Sequence, residues 1–359
     1  MTNEEIRVSA PGRICLFGEH QDYFGLPVIA AAINLRIHIS GKPRPDLNFE
    51  IDLPDISGFE KIGLETEIIY TNKRDYLKSA INVLRREGVT LQRGWDCTVE
   101  GKIPINAGTS SSSALVVAWI KFLLEAVADC DKNRPQTIAE LAFKAEVAEF
   151  NEPGGKMDQY TSALGGIVNI HFDKELRVDK LKNPLKEFVL ADSLIQKDTT
   201  GTLAHIKNSV SEGTALIRKR IRGFHLKAAI GQKEREEIKR LPEVNRRLME
   251  GTLKTRDLTV QGEKIFQETP FDHVRFGQLL NAQQDVLRDY LDVSSSKLDR
   301  MITVSLEQGA LGAKINGSGE GGCIFAYCPD NARQVAEALR EIGVRTYIIH
   351  IAEGVKREA

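Results

Sequence analysis

The sequence predicts an α+β fold in two parts, on three observations. Strand-like and helical patterns do not alternate strictly along the chain, as they do in proteins built from βαβ units. The composition shifts near residue 175, where a mixed half gives way to a charged, helical half. The chain then closes with a strand, a helix and a strand. We therefore expect an N-terminal domain over residues 1–175 and a C-terminal domain over residues 176–359.

The composition is that of an ordinary globular protein. Of the 359 residues, 42% are hydrophobic and 28% are charged, and the formal net charge is -1. This balance gives no argument for nucleic acid or for an anionic membrane as a partner. No apolar run approaches the ~20 residues of a membrane span, and the acidic N-terminus does not resemble a signal peptide. We therefore expect a cytoplasmic protein.

The cysteines agree with that compartment. There are five, an odd number, and none belongs to a CxxC pair. Their neighbours are apolar, which predicts reduced thiols in or near the core. The five are Cys15, Cys97, Cys130, Cys323 and Cys328.

The N-terminal half begins with strands. β-Branched residues predict strands over residues 8–10 and 26–39. Apolar residues at helical spacing predict a helix over residues 73–88, which ends in a C′ glycine. An alternating pattern then predicts a strand over residues 94–104.

The middle of the chain is predicted to return from helices to a strand. Long apolar runs indicate helices over residues 112–128 and 137–151, and a Glu-Pro-Gly-Gly sequence ends the second helix. A strand is expected over residues 160–172.

The C-terminal half is mostly helical. Residues 205–260 have helical periodicity and charges of both signs, which favours a solvated helical face over a nucleic-acid arm. The remaining predictions are helices at 276–291, 294–309 and 331–343 and strands at 321–329 and 345–352.

A loop for an anion is predicted at "PINAGTSSSSA". Gly108 and four consecutive serines stand directly before the helix at residues 112–128. The first N–H groups of a helix lack internal partners and carry a partial positive charge, so small residues there allow phosphate to approach. A single serine N-cap is the simpler alternative. The Walker A pattern is absent.

A second glycine cluster lies at "GAKINGSGEGGCIF". Gly317, Gly319 and Gly322 match GxGxxG, but a strand follows where a dinucleotide-binding fold needs a helix. The sequence therefore predicts a turn between two strands. Whether that turn lies against a phosphate or substrate, or is only a tight hairpin, stays open.

An acidic cluster precedes and follows the Pro-Gly-Gly breaker. Transfer of phosphate to a sugar hydroxyl needs a group that orients the alcohol, a metal ion on the phosphates and a cation on the developing charge. Asp158, on the turn after the breaker, suits the hydroxyl; Glu146, on the preceding helix, suits the metal; Arg13 suits the charge. Alternatively, Asp158 only caps the following segment.

These clusters, in this order, resemble the motifs of the GHMP kinase superfamily, which includes galactokinase, homoserine kinase, mevalonate kinase and phosphomevalonate kinase. "APGRICLFGEHQDY" resembles the first motif, "PINAGTSSSSA" the second and "GAKINGSGEGGC" the third. The galactokinase branch is the most similar. Its signature is matched by Arg13, Gly18, Glu19, His20, Asp22 and Tyr23.

The resemblance implies a two-domain architecture with the active site between the domains, and ATP with Mg²⁺ as the phosphate donor. Asp158 would be the catalytic base or hydroxyl-orienting anion, with Arg13 beside it. Ser112 and Glu146 would bind Mg²⁺. Glu19, His20 and Asp22 would bind the sugar substrate. The ATP phosphates would lie on Gly108, Thr109, Ser110, Ser111, Ser112 and Ser113.

Several departures leave the substrate open. Cys15 replaces the Asn of the signature, Asn106 replaces a glycine, Ser113 replaces an alanine, and Lys156 replaces an apolar residue and suggests an acidic sugar as one alternative. The galactokinase stretch with a sugar-contacting Tyr and paired arginines is not recognisable. We expect galactose or a related monosaccharide; the alternatives are a hexuronic acid, fucose, arabinose, a heptose, a non-sugar alcohol such as mevalonate, or a sensor without catalysis. The protein is expected to be a monomer or homodimer.

Overall fold

The fold has the predicted α+β class. A computed structural model describes residues 5–64, 67–128, 131–172, 175–196 and 199–359. Within these ranges the strands form two sheets, one of eight strands and one of four, and helices pack against both. No helix in the same ranges combines the length and apolar character that a membrane crossing requires. Cys130 lies outside the described residues, and the other four cysteines are buried, as expected for core thiols.

The larger sheet has the order β12-β1-β2-β5-β3-β4, with β6 paired to β2 and β7 paired to β6. The pairing is antiparallel except between β3 and β5. Nearly every residue of β1 is buried, because four helices contact this strand: α2 (Ser111–Ala126), α4 (Met157–Leu164), α7 (Glu243–Gln267) and α8 (His273–Asp289). Its strands are β1 (Ile6–Phe17), β2 (Val28–Pro43), β3 (Asn48–Leu53), β4 (Gly58–Gly63), β5 (Trp95–Gly101), β6 (Ile167–Phe172), β7 (Leu176–Leu181) and β12 (Lys356–Arg357).

The smaller sheet is antiparallel, in the order β11-β8-β10-β9. The predicted boundary near residue 175 stays a prediction; the chain leaves the larger sheet at Leu181 and returns to it with β12. The strands of the smaller sheet are β8 (Phe188–Asp192), β9 (Gly312–Ile315), β10 (Cys323–Tyr327) and β11 (Arg345–Ile349).

The helices follow the apolar periodicity of the sequence. In α2 most side chains from Ala114 to Leu124 are buried, and Trp119 stacks on Phe122. The charged region is helical, as predicted, and buries an apolar side in α5 and α7. The helices are α1 (Tyr76–Arg86), α2 (Ser111–Ala126), α3 (Pro135–Phe143), α4 (Met157–Leu164), α5 (Thr199–Arg218), α6 (Gln232–Lys239), α7 (Glu243–Gln267), α8 (His273–Asp289), α9 (Ser296–Glu307) and α10 (Ala332–Glu341).

The strand predicted over residues 160–172 is wrong in its first part. Residues Met157–Leu164 form helix α4, and the strand begins only at Ile167. Gly165 and Gly166 separate the two with φ values of +70° and +68°, which a residue with a Cβ rarely adopts. Five further strands, β3, β4, β7, β8 and β12, are not predicted from the sequence; each is at most six residues long.

The helix predicted over residues 137–151 is also not uniform. Regular α-helix ends at Phe143, and residues Lys144–Ala148 form a π-helical turn. Such turns are rare and occur often at functional sites. This one holds Glu146, which the sequence analysis places at a metal.

Asn316, in the turn between β9 and β10, joins three separate segments of the fold. Its Oδ1 accepts from the N–H of Cys15, at 2.9 Å. Its Nδ2 donates to the carbonyl oxygens of Gly108, at 2.9 Å, and Arg13, at 3.3 Å. Asn316 is fully buried. The departure from the signature at Cys15 therefore lies against an asparagine of the third motif.

We predict that Asn316→Ala lowers the free energy of unfolding by about 1–3 kcal/mol, because it leaves buried backbone groups of β1 and the loop before α2 without partners. Urea denaturation followed by fluorescence measures the change. Asn133→Ala is the control, since among the described residues the Asn133 amide bonds to the side chains of Lys121 and Glu125 rather than to backbone groups. Equal stability of Asn316→Ala and wild type would contradict the assignment.

Candidate active site

One cleft brings together almost all the residues that the sequence singled out. It is lined by parts of the first motif, the loop before α2, the acidic cluster, the start of α5 and the turn after β9. Thr109 does not line it: this residue is fully buried, and its hydroxyl donates to the carbonyl of Pro104. The predicted residues that line the cleft are Arg13, Glu19, His20, Asp22, Gly108, Ser110, Ser111, Ser112, Ser113, Glu146 and Asp158.

Arg13 and Asp158 form a bidentate ion pair at the centre of the cleft. Arg13 Nε donates to Asp158 Oδ1 at 2.8 Å and Nη2 donates to Oδ2 at 3.0 Å. Arg13 Nη1 donates to the carbonyl of Gly108 at 2.5 Å. The Arg13 side chain is 5% exposed and that of Asp158 is 29% exposed. The carboxylate therefore faces the cleft, while the guanidinium lies behind it.

This geometry corrects two expectations for these residues. Asp158 is not on an irregular turn but in the first turn of α4, and its carboxylate accepts from Arg13 rather than capping the helix. Arg13 does not point freely into the cleft, because all three of its guanidinium nitrogens already donate to protein oxygens.

Glu146 and Ser112 offer oxygen donors suited to Mg²⁺. The Glu146 carboxylate is buried, and Gln159 Nε2 donates to its Oε2 at 2.6 Å. Burial raises the pKa of Glu146, and hydrogen bonds from Gln159, Ser112 and Ser113 oppose that rise. A carboxylate and a serine hydroxyl fit a Mg²⁺ ion that takes its other ligands from phosphates and water. Ser113, one of the departures, thus contacts the carboxylate that would hold the metal.

The loop before α2 leaves its helix N-terminus open. Asn106, Gly108 and Ser110 have φ values of +56°, +84° and +59°, so the chain turns through left-handed conformations before Ser111 begins the helix. Asparagine tolerates this region, which accounts for Asn106 in place of glycine. Ser110 is the N-cap, but its side chain makes no capping bond, and its buried hydroxyl has no partner within the described parts of the chain. The observation favours an anion-binding loop over a simple serine cap.

The turn between β9 and β10 lies directly against this loop, which decides the alternative left open by the sequence. A Cβ on Gly317 would stand 2.9 Å from the carbonyl oxygen of Gly108, and φ at Gly317 is +80°. Only glycine permits this approach. Gly317 and Ser318 also line the cleft. The turn is therefore part of the site and not merely a hairpin.

Asp22 is held in place by backbone groups. Its Oδ1 accepts from the N–H of Tyr23 at 2.9 Å and its Oδ2 accepts from the N–H of Met157 at 3.2 Å. A Cβ on Gly155 would overlap the Asp22 carboxylate, so the Pro-Gly-Gly breaker makes room for it. Burial and the nearby Asp158 carboxylate raise the pKa of Asp22 to about 6.

His20 and Glu19 complete this side of the cleft. His20 has φ +61°, and its Nε2 lies 3.1 Å from the carbonyl oxygen of Ser318. Glu19 is buried; one carboxylate oxygen is bonded to Lys314, and the other has no partner among the residues that the structure describes. An unpartnered buried carboxylate oxygen beside a cleft is suited to a ligand hydroxyl.

Several residues that line the cleft are not predicted from the sequence. Arg74 has φ +69°, donates twice to Glu152 and once to Thr200 Oγ1, and so connects the segment before α1 with α5. Arg74 stands in a charged segment without a motif that would indicate a residue of the cleft. Lys156 is not among the lining residues: it pairs with Glu140 at 2.7 Å and lies over the Phe143 ring. The structure thus gives no support for Lys156 as a contact to an acidic sugar. Further lining residues are Tyr76, Glu152, Thr199, Thr200, Leu203 and Ser318.

Comparison with known families finds matches to three parts of the chain. The N-terminal domain of GHMP kinases matches residues 75–166, and the C-terminal domain of GHMP kinases matches residues 264–345. The galactokinase galactose-binding signature matches residues 2–43.

Relatives of two kinds match almost the whole chain. A mevalonate kinase of Pyrococcus furiosus is 30% identical over 99% of this chain and 98% of its own. A galactokinase of Actinobacillus succinogenes is 26% identical over 95% of this chain and 89% of its own. Sequence similarity therefore includes both kinds of kinase.

Solved structures show the same fold. Lactococcus lactis galactokinase complexed with galactose superposes with a TM-score of 0.85 at 21% identity, covering 99% of this chain and 95% of its own. Methanococcus jannaschii mevalonate kinase superposes with a TM-score of 0.73 at 20% identity, covering 98% of this chain and 100% of its own. Together with the motifs and the cleft, these matches show that the chain belongs to the GHMP kinases, a family of phosphotransferases that use ATP with Mg²⁺ as the phosphate donor.

Proposed function

We propose that the protein is a sugar 1-kinase, which transfers the γ-phosphate of ATP to the anomeric hydroxyl of galactose or a related monosaccharide. The observation that carries the proposal is the row of hydrogen-bond acceptors from the first motif beside the Arg13–Asp158 pair. Glu19 has a buried carboxylate oxygen without a partner, and Asp22 keeps its carboxylate at the cleft through backbone bonds. A polyol offers several hydroxyl donors to these carboxylate acceptors.

Asp158 is the residue we assign to the acceptor hydroxyl. Its carboxylate is oriented by two hydrogen bonds from Arg13 and remains partly exposed to the cleft. It would accept the proton of the anomeric hydroxyl as that oxygen forms its bond to the γ-phosphorus and the bond from phosphorus to ADP breaks. Arg13 acts on Asp158 and on the loop carbonyl of Gly108, which makes it a positioning residue in this arrangement.

The phosphates are assigned to the N-terminus of α2. Residues 110–113 line the cleft at this helix end, where the first N–H groups of a helix have no internal partner. Mg²⁺ would be held by Ser112 and Glu146 and would neutralise charge on the phosphates. Gln159 keeps the Glu146 carboxylate in place.

A mevalonate kinase is the second candidate, because the Pyrococcus furiosus relative carries that name. The charge of the cleft speaks against it. Among the described residues that line the cleft, five carboxylates stand against two guanidinium groups. Both guanidiniums already bond to carboxylates, Arg13 to Asp158 and Arg74 to Glu152. Like-charge contacts disfavour an acceptor that itself carries a carboxylate, such as mevalonate.

A coupled assay of ADP release tests the proposal. The panel holds galactose, other aldoses, fucose, arabinose, hexuronic acids, heptoses and mevalonate, each with Mg²⁺ and ATP. We expect the highest kcat/KM with an uncharged monosaccharide. Turnover of mevalonate alone would overturn the proposal, and sugar binding without turnover of any substrate would indicate a sensor.

We predict that Asp158→Asn lowers kcat by about 10²–10⁴-fold, because the amide cannot accept the hydroxyl proton. The KM for ATP is expected to change little, since Asp158 belongs to the acceptor side of the cleft. Asp289→Asn is a matched control, because that aspartate pairs with Arg288 on the exposed surface of α8. A kcat near the wild-type value in Asp158→Asn would contradict the assigned role.

We predict a pH-dependent KM for the sugar. The pKa of Asp22 is about 6, above the ordinary value, so the carboxylate is ionised above pH 6 and becomes protonated as the pH falls through 6. Protonation weakens its capacity to accept, so the KM for the sugar should rise between pH 7 and pH 5. Asp22→Asn should raise the KM by about 5- to 150-fold at pH 8 and remove this step. The ATP KM over the same pH range is the control, and an unchanged step in Asp22→Asn would contradict the assignment.

A further inference from the structure

The third motif contributes a buried lysine directly behind the first motif. Lys314, in β9, is fully buried and is not among the residues that line the cleft. The proposed function assigns it no task. A buried lysine needs an explanation, because an ammonium group is rarely removed from water without partners.

All three N–H donors of the Lys314 ammonium are used inside the protein. Lys314 Nζ donates to the carbonyl oxygens of Cys15, at 3.1 Å, and Ile315, at 2.9 Å. Its third partner is Glu19 Oε1. Nζ also lies 5.0 Å from the centre of the Phe325 ring. The ammonium therefore has a fixed position and no donor left for a ligand.

The two oxygens of the Glu19 carboxylate have different surroundings. Oε1 accepts from Lys314, while Oε2 is buried and has no partner in the described ranges, and Glu19 lines the cleft. An isolated carboxylate at this position would be strongly destabilised. Burial lowers the pKa of Lys314 to about 7, and the positive charge of Arg13 adds to that effect. Lys314 and Glu19 form a buried ion pair, and Glu19 also lines the cleft.

We propose that Lys314 is a positioning residue that holds the Glu19 carboxylate charged and directs Oε2 to one hydroxyl of the acceptor substrate. The inference rests on the proposed function insofar as the acceptor is a polyol. In this arrangement Lys314 and Glu19 determine the affinity for the acceptor, while other residues bind ATP. A purely structural ion pair would affect stability without separating the two substrates.

Three variants test the inference: Lys314→Met, Glu19→Gln and the double variant. Each is assayed for the KM of the acceptor, the KM of ATP, kcat and the melting temperature. We expect Lys314→Met and Glu19→Gln each to raise the acceptor KM at least about tenfold while the ATP KM stays unchanged. The double variant should raise the acceptor KM no further than the larger single effect, because both changes remove the same contact. It should melt above Lys314→Met, because no unpaired buried charge remains.

Lys121→Met is the matched control. Lys121 is largely buried in α2 and pairs with Glu125, away from the cleft. It should lower the melting temperature and leave both KM values unchanged. If Lys314→Met does not fold, the neutral double variant carries the test. A folded Lys314→Met or double variant with the wild-type acceptor KM overturns the inference, as does an equal rise of both KM values.

The acceptor is identified first with the wild-type protein, so failure of the proposed function is separate from failure of this inference. If the wild type phosphorylates mevalonate and no sugar, the proposed function is wrong, and the variants are measured with mevalonate. An acceptor-selective rise in KM then still supports Lys314 as a positioning residue. If no substrate turns over, calorimetric Kd values for galactose and ATP replace the two KM values, with the same expected split.

Discussion

The guanidinium of Arg13 holds together the parts from which the cleft is built. Arg13 belongs to β1, its Nε and Nη2 hold Asp158 of α4, and its Nη1 holds the carbonyl of Gly108 in the loop before α2. Because the group is planar and always charged, it fixes both partners in direction as well as distance. The distance between the assigned acceptor group and the phosphate loop therefore depends on one buried side chain.

The negative charge of the cleft is the second constraint, because the phosphate donor is itself negatively charged. The lining carboxylates outnumber the guanidinium groups, and both guanidiniums are already paired with carboxylates. A nucleotide with several negative charges cannot bind such a surface without added positive charge. Under the proposed function, the N-terminus of α2 would supply part of it, and Glu146 with Ser112 would hold a divalent cation. The Mg²⁺ that the family requires would therefore offset the excess of carboxylates in the cleft when ATP binds.

The sequence singled out many of the residues that line the cleft because its motifs are local. The loop of Gly108, the first motif and the acidic cluster were each visible as short runs, and the fold class followed from the order of helices and strands. It could not predict contacts between distant segments. The Pro-Gly-Gly sequence predicts a turn at Asp158 and hides the start of α4, and the serine-rich loop predicts a phosphate contact at Thr109, whose hydroxyl instead donates to the carbonyl of Pro104. Arg74 and Lys314 act through partners 78 and 295 positions away, which no local pattern shows.

The departure at Cys15 shows how the fold limits what a sequence signature can say about the substrate. Cys15 does not line the cleft; its thiol is buried, and burial raises its pKa to about 12. Its backbone contacts instead matter, because its N–H donates to Asn316 and its carbonyl accepts from Lys314. A change of side chain at this position therefore alters packing behind the site rather than a group that the substrate meets. Under the proposed function, acceptor choice would depend on the carboxylates of Glu19, Asp22 and Asp158, which line the cleft and match the galactokinase pattern despite the departure at Cys15.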